Sequence, residues 1–72
     1  MESISMAASV KEVRCHSLIV RNVRTAEEIV VHTNDSFRFF CGDIVCIRYN
    51  GIMTRSIPPQ ITASCITLVK RG

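Results

Sequence analysis

The stretch that decides the fold class reads Gly42-Asp-Ile-Val-Cys-Ile-Arg-Tyr-Asn-Gly51. Its residues 43–49 are β-branched or aromatic at four of seven positions, which is typical of a pleated, mostly buried strand. Asn-Gly follows directly, and both residue types accept the positive φ that a two-residue hairpin turn requires. The stretch therefore predicts a strand that ends at a tight turn.

A stiff polar segment and a second strand follow this turn. Pro58 and Pro59 have no backbone donors, so their segment is excluded from the middle of a sheet. The next residues alternate again, with one predicted face of Ile61, Ala63, Cys65 and Thr67 and another of Thr62, Ser64, Ile66 and Leu68. We expect two paired strands joined by a proline-stiffened crossing.

The residues before Gly42 are predicted to add three strands. The first alternates through Met6, Ala8 and Val10 and then shifts by one residue near Lys11-Glu12, which a β-bulge explains. The competing prediction is a short helix over residues 6–13, which have good helix propensity. The helix is less favoured because no N-cap residue precedes an apolar face with helical periodicity. Residues 18–20 and 28–33 are the next strands, and 37–40 is a further extended piece or one helical turn.

Length and composition agree with one small β domain. The chain has 72 residues, of which 47% are hydrophobic, and Val and Ile are abundant. Short strands with turns roughly every 8–12 residues fit a closed barrel better than a sandwich, and closure leaves no exposed strand edge. We predict an all-β, five-stranded, OB-like barrel that forms a single domain over residues 1–72.

The carboxy-terminal motif resembles a known family. The matching positions are Gly42-Asp43, Tyr49-x-Gly51 and Ser56-x-Pro58-x-Gln60-x-x-Ala63. They are similar to the ends of the YobA-like bacterial domains of unknown function, although that pattern usually has an aromatic residue where Ile57 stands. The resemblance covers residues 42–68 and implies an OB-type barrel, often in an exported lipoprotein, without implying an activity.

A second and weaker resemblance concerns the size of the chain and its Gly42-Asp43-x-Val45 strand. Both are similar to the small OB-type bacterial translation initiation factor. The similarity ends there, because the basic Met-Arg-Lys stretch of that family is missing and Pro58-Pro59 is foreign to it.

Charge and hydropathy indicate an ordinary solvated surface. The net charge is +3, and Arg24 is followed closely by Glu27 and Glu28, so opposite signs are interleaved. No apolar run approaches the roughly 18 residues of a membrane span, and the amino terminus has no signal-like apolar segment. We expect a cytoplasmic chain as the sequence stands, or an exported or lipoprotein-anchored one if a signal upstream of Met1 was removed.

The four cysteines leave several alternatives open. They are Cys15, Cys41, Cys46 and Cys65, and no two form a Cys-x-x-Cys pair. An even number permits two disulfides in any of three connectivities, but we favour reduced thiols with Cys46 and Cys65 in the apolar core. A mixed site with His16 or His32 is less favoured, because its ligands would have to converge from separate strands, so we predict no metal.

No group of residues predicts catalysis. Glu27 and Glu28 are adjacent, so in a strand their side chains face opposite sides, and the same holds for Cys15-His16. The three glycines are too scattered to form a phosphate-binding loop. We predict a chain that is not an enzyme and needs no cofactor.

The predicted function is binding of a protein or a small ligand through loops at one barrel mouth. The candidate contacts are polar or amphipathic residues near the turn and the proline segment: Arg48, Tyr49, Thr54, Arg55 and Gln60. The alternative is a single-stranded nucleic-acid-binding OB module that stacks bases on aromatic side chains in a positive groove. Its candidate residues are Phe37, Arg38, Phe39, Arg48 and Tyr49, although two of the three phenylalanines are expected in the core.

Overall fold

The computed structural model describes residues 4–72, which form a closed barrel. Its five strands are β1 (Ile4–Val13), β2 (Ser17–Asn22), β3 (Glu28–His32), β4 (Ile44–Tyr49) and β5 (Gln60–Lys70). They follow one another around the barrel as β1-β2-β3-β5-β4, and β4 pairs with β1 to close it. All pairs are antiparallel except β3 with β5, which is parallel. The predicted all-β, five-stranded barrel is confirmed.

The first strand is long and bent. It pairs with β4 through its first half and with β2 through its second, and the register with β2 shifts between Val10 and Glu12. A bulge adds twist and lets one strand serve two neighbours. The predicted strand with a bulge near Lys11-Glu12 is confirmed, and the competing helix over 6–13 is wrong.

The last two strands pair as predicted, but their connection is longer than a hairpin turn. Residues 50–59 link β4 to β5, and Gly51 has a φ of 89°, which glycine reaches without steric cost. Since Pro58 and Pro59 cannot donate to a sheet, pairing of β5 resumes only at Gln60. The proline-stiffened crossing is confirmed, whereas Asn50-Gly51 begins a loop instead of closing a two-residue hairpin.

The inward face of β5 differs from the predicted alternation. Arg48 of β4 pairs with Cys65, but the next residue, Tyr49, pairs with Ala63, so Ser64 is an extra, unpaired residue of β5. Ile61 is buried before the slip and Ile66 after it, while Cys65 is exposed. The prediction is wrong beyond Ala63, because a bulge exchanges the two faces of a strand.

The core combines inward side chains of every strand with one side chain from a connection. Its members are Met6, Ala8, Val10, Leu18, Val20, Ile29, Val31, Phe39, Val45, Ile47, Tyr49, Ile61 and Ile66. Cys46 is half-buried on the outer face of β4 and Cys65 is exposed, so neither belongs to the core as predicted. All four thiols are free.

The connection from β3 to β4 closes one end of the barrel. It contains a short 3-10 helix, Ser36–Arg38, and Phe39 is extended, so each of the two alternatives predicted for residues 37–40 holds over part of that range. Phe39 is only 3% exposed, whereas Phe37 is 70% and Phe40 62% exposed. One phenylalanine is therefore buried instead of the predicted two, because a tight turn directs consecutive side chains to different sides.

Asp43 joins that connection to the end of β5. Its buried carboxylate accepts hydrogen bonds from the backbone N–H of Phe40 (3.0 Å) and Gly72 (3.1 Å) and from Nη1 of Arg71 (2.8 Å). Burial opposes ionisation, but these N–H donors and the Arg71 charge outweigh it and hold the pKa of Asp43 below its ordinary 3.8. We call these four residues the Asp43 clasp.

The Asp43 clasp predicts acid-sensitive stability. A lowered folded-state pKa contributes stability that is fully present above the unfolded value of 3.8 and is lost as pH falls through the folded value. Asp43→Asn is expected to lower the urea midpoint at pH 7, and the difference from the parent chain should shrink towards pH 2. Asp35→Asn, at an exposed ion pair, is the control and should leave the pH dependence nearly unchanged. Parallel pH curves for the parent and Asp43→Asn would contradict this role.

Candidate ligand-binding mouth

Two connections lie at the same end of the barrel and form what we call the loop mouth. They are residues 23–27, between β2 and β3, and residues 50–59, between β4 and β5. The parallel pairing of β3 with β5 places the starts of both strands side by side, and the N–H of Val30 donates to the carbonyl of Pro59 (2.9 Å). The opposite end, with residues 14–16, 33–43 and 71–72, is the plug end.

The 50–59 loop is shaped by its own polar groups. Thr54 and Gln60 are joined by two hydrogen bonds of 3.0 Å, from the N–H of Thr54 to the carbonyl of Gln60 and from the N–H of Gln60 to Oγ1 of Thr54. Ser56 Oγ lies 2.7 Å from Thr54 Oγ1 and donates to the carbonyl of Pro58 (2.9 Å). These bonds use the loop's polar groups internally, so its outward surface is left to other side chains.

Those outward side chains include two large aliphatic residues. Ile57 is 99% exposed and Ile52 is 69% exposed, while Met53 packs against the core and anchors the loop between them. Exposed aliphatic side chains in water gain nothing from folding, so these two residues on one loop are candidates for contact with a partner.

An open groove of about 560 Å³ lies between the two connections of the loop mouth, and we call it the first groove. It is lined by Glu27, Glu28, Met53, Thr54, Arg55, Ser56, Ile57, Pro58 and Pro59. The second groove, of about 300 Å³, lies on the other side of the 50–59 loop and is lined by His32, Asn50, Ile52, Thr54, Gln60, Ile61 and Thr62. In it, Oε1 of Gln60 accepts a hydrogen bond from Nε2 of His32 (2.8 Å).

The first groove carries side chains of both charges. Three described carboxylates form ion pairs, Glu12 with Arg14, Asp35 with Arg38 and Asp43 with Arg71. Glu27 and Glu28 have no such partner within residues 4–72, and both line this groove. Basic residues lie nearby, since Arg55 lines the same groove and Arg21 is the register partner of Glu28 across β2 and β3.

The structure places three of the five predicted contact residues in the two grooves. Thr54 and Arg55 line the first groove, Gln60 lines the second, and Arg48 is exposed on β4 near the same end. Tyr49 is only 8% exposed and belongs to the core. It also lines a third groove, of about 210 Å³, at the loop mouth, so its role as a contact residue stays a prediction.

The predicted nucleic-acid residues do not share one surface. Phe37 and Arg38 are at the plug end, whereas Arg48 is at the far end of β4, next to the loop mouth. Phe39 and Tyr49 are buried in the core. A stacking platform requires exposed aromatic side chains beside positive charge, so this constellation is not formed.

Sequence reasoning missed Glu27, Glu28, Ile52 and Ile57. Ile57 carries a local signal, since an aliphatic residue before two prolines has no strand in which to be buried. The glutamates carry none, because they are separated from the 50–59 loop by more than twenty residues. Only the parallel pairing of β3 with β5 makes them neighbours.

The described part of the chain has neither a metal-binding cluster nor a membrane-spanning helix. Among residues 4–72, no three His, Cys, Asp or Glu side chains converge as a metal site would require. Over the same range no helix is long and apolar enough to cross a membrane. Comparison of the chain with family models, curated proteins and solved structures found no match.

Proposed function

We propose that this chain is a non-enzymatic binding module that holds a segment of a partner protein at the loop mouth. The observation that carries the proposal is Ile57, which is fully exposed at the edge of the first groove. It stands on a loop whose shape is maintained by the Thr54–Gln60 and Ser56–Pro58 hydrogen bonds. A preformed loop that presents an aliphatic side chain loses little entropy on binding.

The shape of the site favours a polypeptide over a small molecule. Small-molecule sites usually enclose most of their ligand, whereas both grooves here are open and lie on opposite sides of one loop. An extended segment that crosses the loop would contact Ile52 and Ile57 together. Loops held on a rigid barrel are also where binding residues concentrate.

We further propose that the barrel is of OB type. The support is the strand order β1-β2-β3-β5-β4, in which the β4–β5 loop lies beside β3, as in OB folds that bind ligands there. The resemblance to YobA-like domains is supported by the conformation and contacts of the residues that carry its motif. Gly42 and Gly51 have φ values of 94° and 89°, and Asp43 is the centre of the Asp43 clasp.

The proposal that the chain is not an enzyme rests on Asp43, the group within residues 4–72 whose pKa is shifted. Perturbed ionisable groups often mark active sites, but the carboxylate of Asp43 has its hydrogen bonds committed to the backbone and to Arg71. Cys15 and His16 are exposed on a short connection at the plug end, away from both grooves.

The test is selection of binding peptides from a random displayed library, followed by affinity measurements on variants. Ile57→Ser is expected to weaken the selected peptides at least about tenfold, as loss of a central apolar contact does. Val69→Ser, at an exposed aliphatic residue near the plug end, is the matched control and should change little. Both variants should keep the parent's melting temperature.

Two results would overturn the proposal. One is a selection that enriches no peptide, and the other is a set of peptides that bind Ile57→Ser as tightly as the parent chain. A labelled single-stranded oligonucleotide titrated at low salt is the control for the alternative function. Low salt is used because phosphate contacts are strongest at low ionic strength. Binding of that probe in place of peptides would replace the proposal with nucleic-acid recognition.

A further inference from the structure

We infer that the partner segment places a tyrosine or tryptophan side chain in the third groove, where its polar group bonds to the hydroxyl of Tyr49. The inference rests on the proposed function and specifies what this end of the barrel binds. Two observations carry it, an apolar groove of the size of one aromatic side chain and a buried tyrosine whose hydroxyl is free to take a partner.

The hydroxyl of Tyr49 is the polar group of this groove that is still without a partner. The residue is only 8% exposed, and no side-chain hydrogen bond among residues 4–72 uses its Oη. Every fully buried side-chain oxygen and nitrogen of those residues has a partner. Oη is therefore among the atoms through which Tyr49 reaches solvent, in the groove that it lines.

The walls around this hydroxyl suit an aromatic ring. The apolar lining consists largely of Ile4, Met6, Ile29, Met53 and the ring of Tyr49. Methionine sulfur makes favourable contacts with aromatic rings and adapts to their shape. The groove holds about 210 Å³, and a cavity of about 150 Å³ already accommodates benzene, so one ring with its substituent fits.

The groove is formed before any ligand arrives. The N–H of Val23 donates to the carbonyl of Ala7 (3.2 Å), which fixes the β2–β3 connection to β1. Within that connection, Oδ1 of Asn22 accepts hydrogen bonds from the N–H of Arg24 (2.8 Å) and of Thr25 (3.3 Å). A side chain that enters such a preformed site orders little of the protein, so more of its contact energy appears as affinity.

The third groove is continuous with the site of the proposed function. Met53 and Glu27 line both the first groove and the third, and Ile57 lines the first. A segment that contacts Ile57 therefore passes the entrance of the third groove. Arg24 and Glu27 both line this groove, so its charge favours neither sign and a neutral side chain is suited to it.

The hydroxyl decides between a purely apolar side chain and one with a polar group. A side chain that fills the groove displaces the water at Oη of Tyr49. Phenylalanine or leucine would leave that hydroxyl without a hydrogen bond, which costs free energy. The O–H of tyrosine or the indole N–H of tryptophan replaces the lost water, and both residue types are enriched at the centres of protein interfaces.

The test uses the peptides selected on the parent chain. They should share a tyrosine or tryptophan at a constant position relative to an apolar residue. Replacing it by phenylalanine, or by 1-methyltryptophan, should weaken binding about fivefold, as loss of one hydrogen bond does. Tyr49→Phe should cause a similar loss, and the peptide change should then cost nothing further. Thr67→Val, which removes an exposed hydroxyl on β5 towards the plug end, is the control and should leave affinity unchanged.

Fluorine NMR provides a second readout that does not depend on a variant. The chain has a single tyrosine, so labelling with 3-fluorotyrosine gives one resonance, from Tyr49. That resonance should move when a selected peptide binds, and it should move less with the peptide that lacks the hydrogen-bonding group.

The outcomes separate this inference from the proposed function. Peptides that lose affinity for Ile57→Ser but neither lose affinity for Tyr49→Phe nor move the fluorine resonance would overturn the inference and leave the proposed function standing. A selection without a shared tyrosine or tryptophan would do the same. Peptides insensitive to both Ile57→Ser and Tyr49→Phe would overturn both.

Discussion

Phe39→Ala is expected to lower the free energy of unfolding by about 3–5 kcal/mol, the usual cost of truncating a buried aromatic side chain. Phe39 is 3% exposed and is the core residue supplied by the connection at the plug end. The matched control is Phe37→Ala, two residues away, where 70% of the residue is exposed. It should change stability by no more than about 0.5 kcal/mol.

The two phenylalanine variants are distinguished by thermal unfolding followed by circular dichroism. A domain of this size loses about 4–8 °C per kcal/mol, so Phe39→Ala should melt at least about 12 °C below the parent and Phe37→Ala within a few degrees of it. Equal effects would show that the connection from β3 to β4 does not insert Phe39 into the barrel.

Leu18→Ala is expected to cost about 3 kcal/mol, within the range of about 2–5 kcal/mol observed for buried leucines. Leu18 is fully buried in β2, and the space it leaves is bounded by strands that cannot move inward without breaking the ring. Leu68→Ala is the same chemical change on the outward face of β5, at 36% exposure, and should cost about 1 kcal/mol or less.

Urea denaturation separates these leucine variants. Both should keep the m-value of the parent chain, and the midpoint should fall much further for Leu18→Ala. A domain of 72 residues has about 4–11 kcal/mol of stability in total, so Leu18→Ala should remove between about a quarter and three quarters of it. A larger loss from Leu68→Ala than from Leu18→Ala would mean that β5 presents its other face to the core.

The stability variants and the binding variants act on separate parts of the molecule. Phe39 and Leu18 hold the barrel, whereas Ile57 is exposed at the loop mouth and Tyr49→Phe removes only a hydroxyl group from a core ring. Binding can therefore be reduced without unfolding the domain. This separation makes the peptide experiments interpretable, since a melting curve shows whether a variant lost its ligand or its fold.

Local sequence pattern was sufficient for much of the fold. The alternation in residues 43–49, the pattern shift near Lys11-Glu12 and the donor-free Pro58-Pro59 each act within a few residues of the structure they predict. Strand, bulge and crossing were all confirmed for that reason. The predicted faces of β5 failed beyond Ala63, because the slip at Ser64 depends on how β5 pairs with β4.

Local sequence alone predicts that this chain forms strands, where most of them lie and that the 50–59 crossing stays outside the sheet. These properties follow from the periodicity and backbone chemistry of neighbouring residues. Tertiary contacts, by contrast, bury Tyr49 and Phe39, separate Phe37 from Arg48, and bring two glutamates into the lining of the groove that Ile57 also lines. The physical reason is that the site is created by the parallel pairing of β3 with β5, a contact between distant segments that no local pattern encodes.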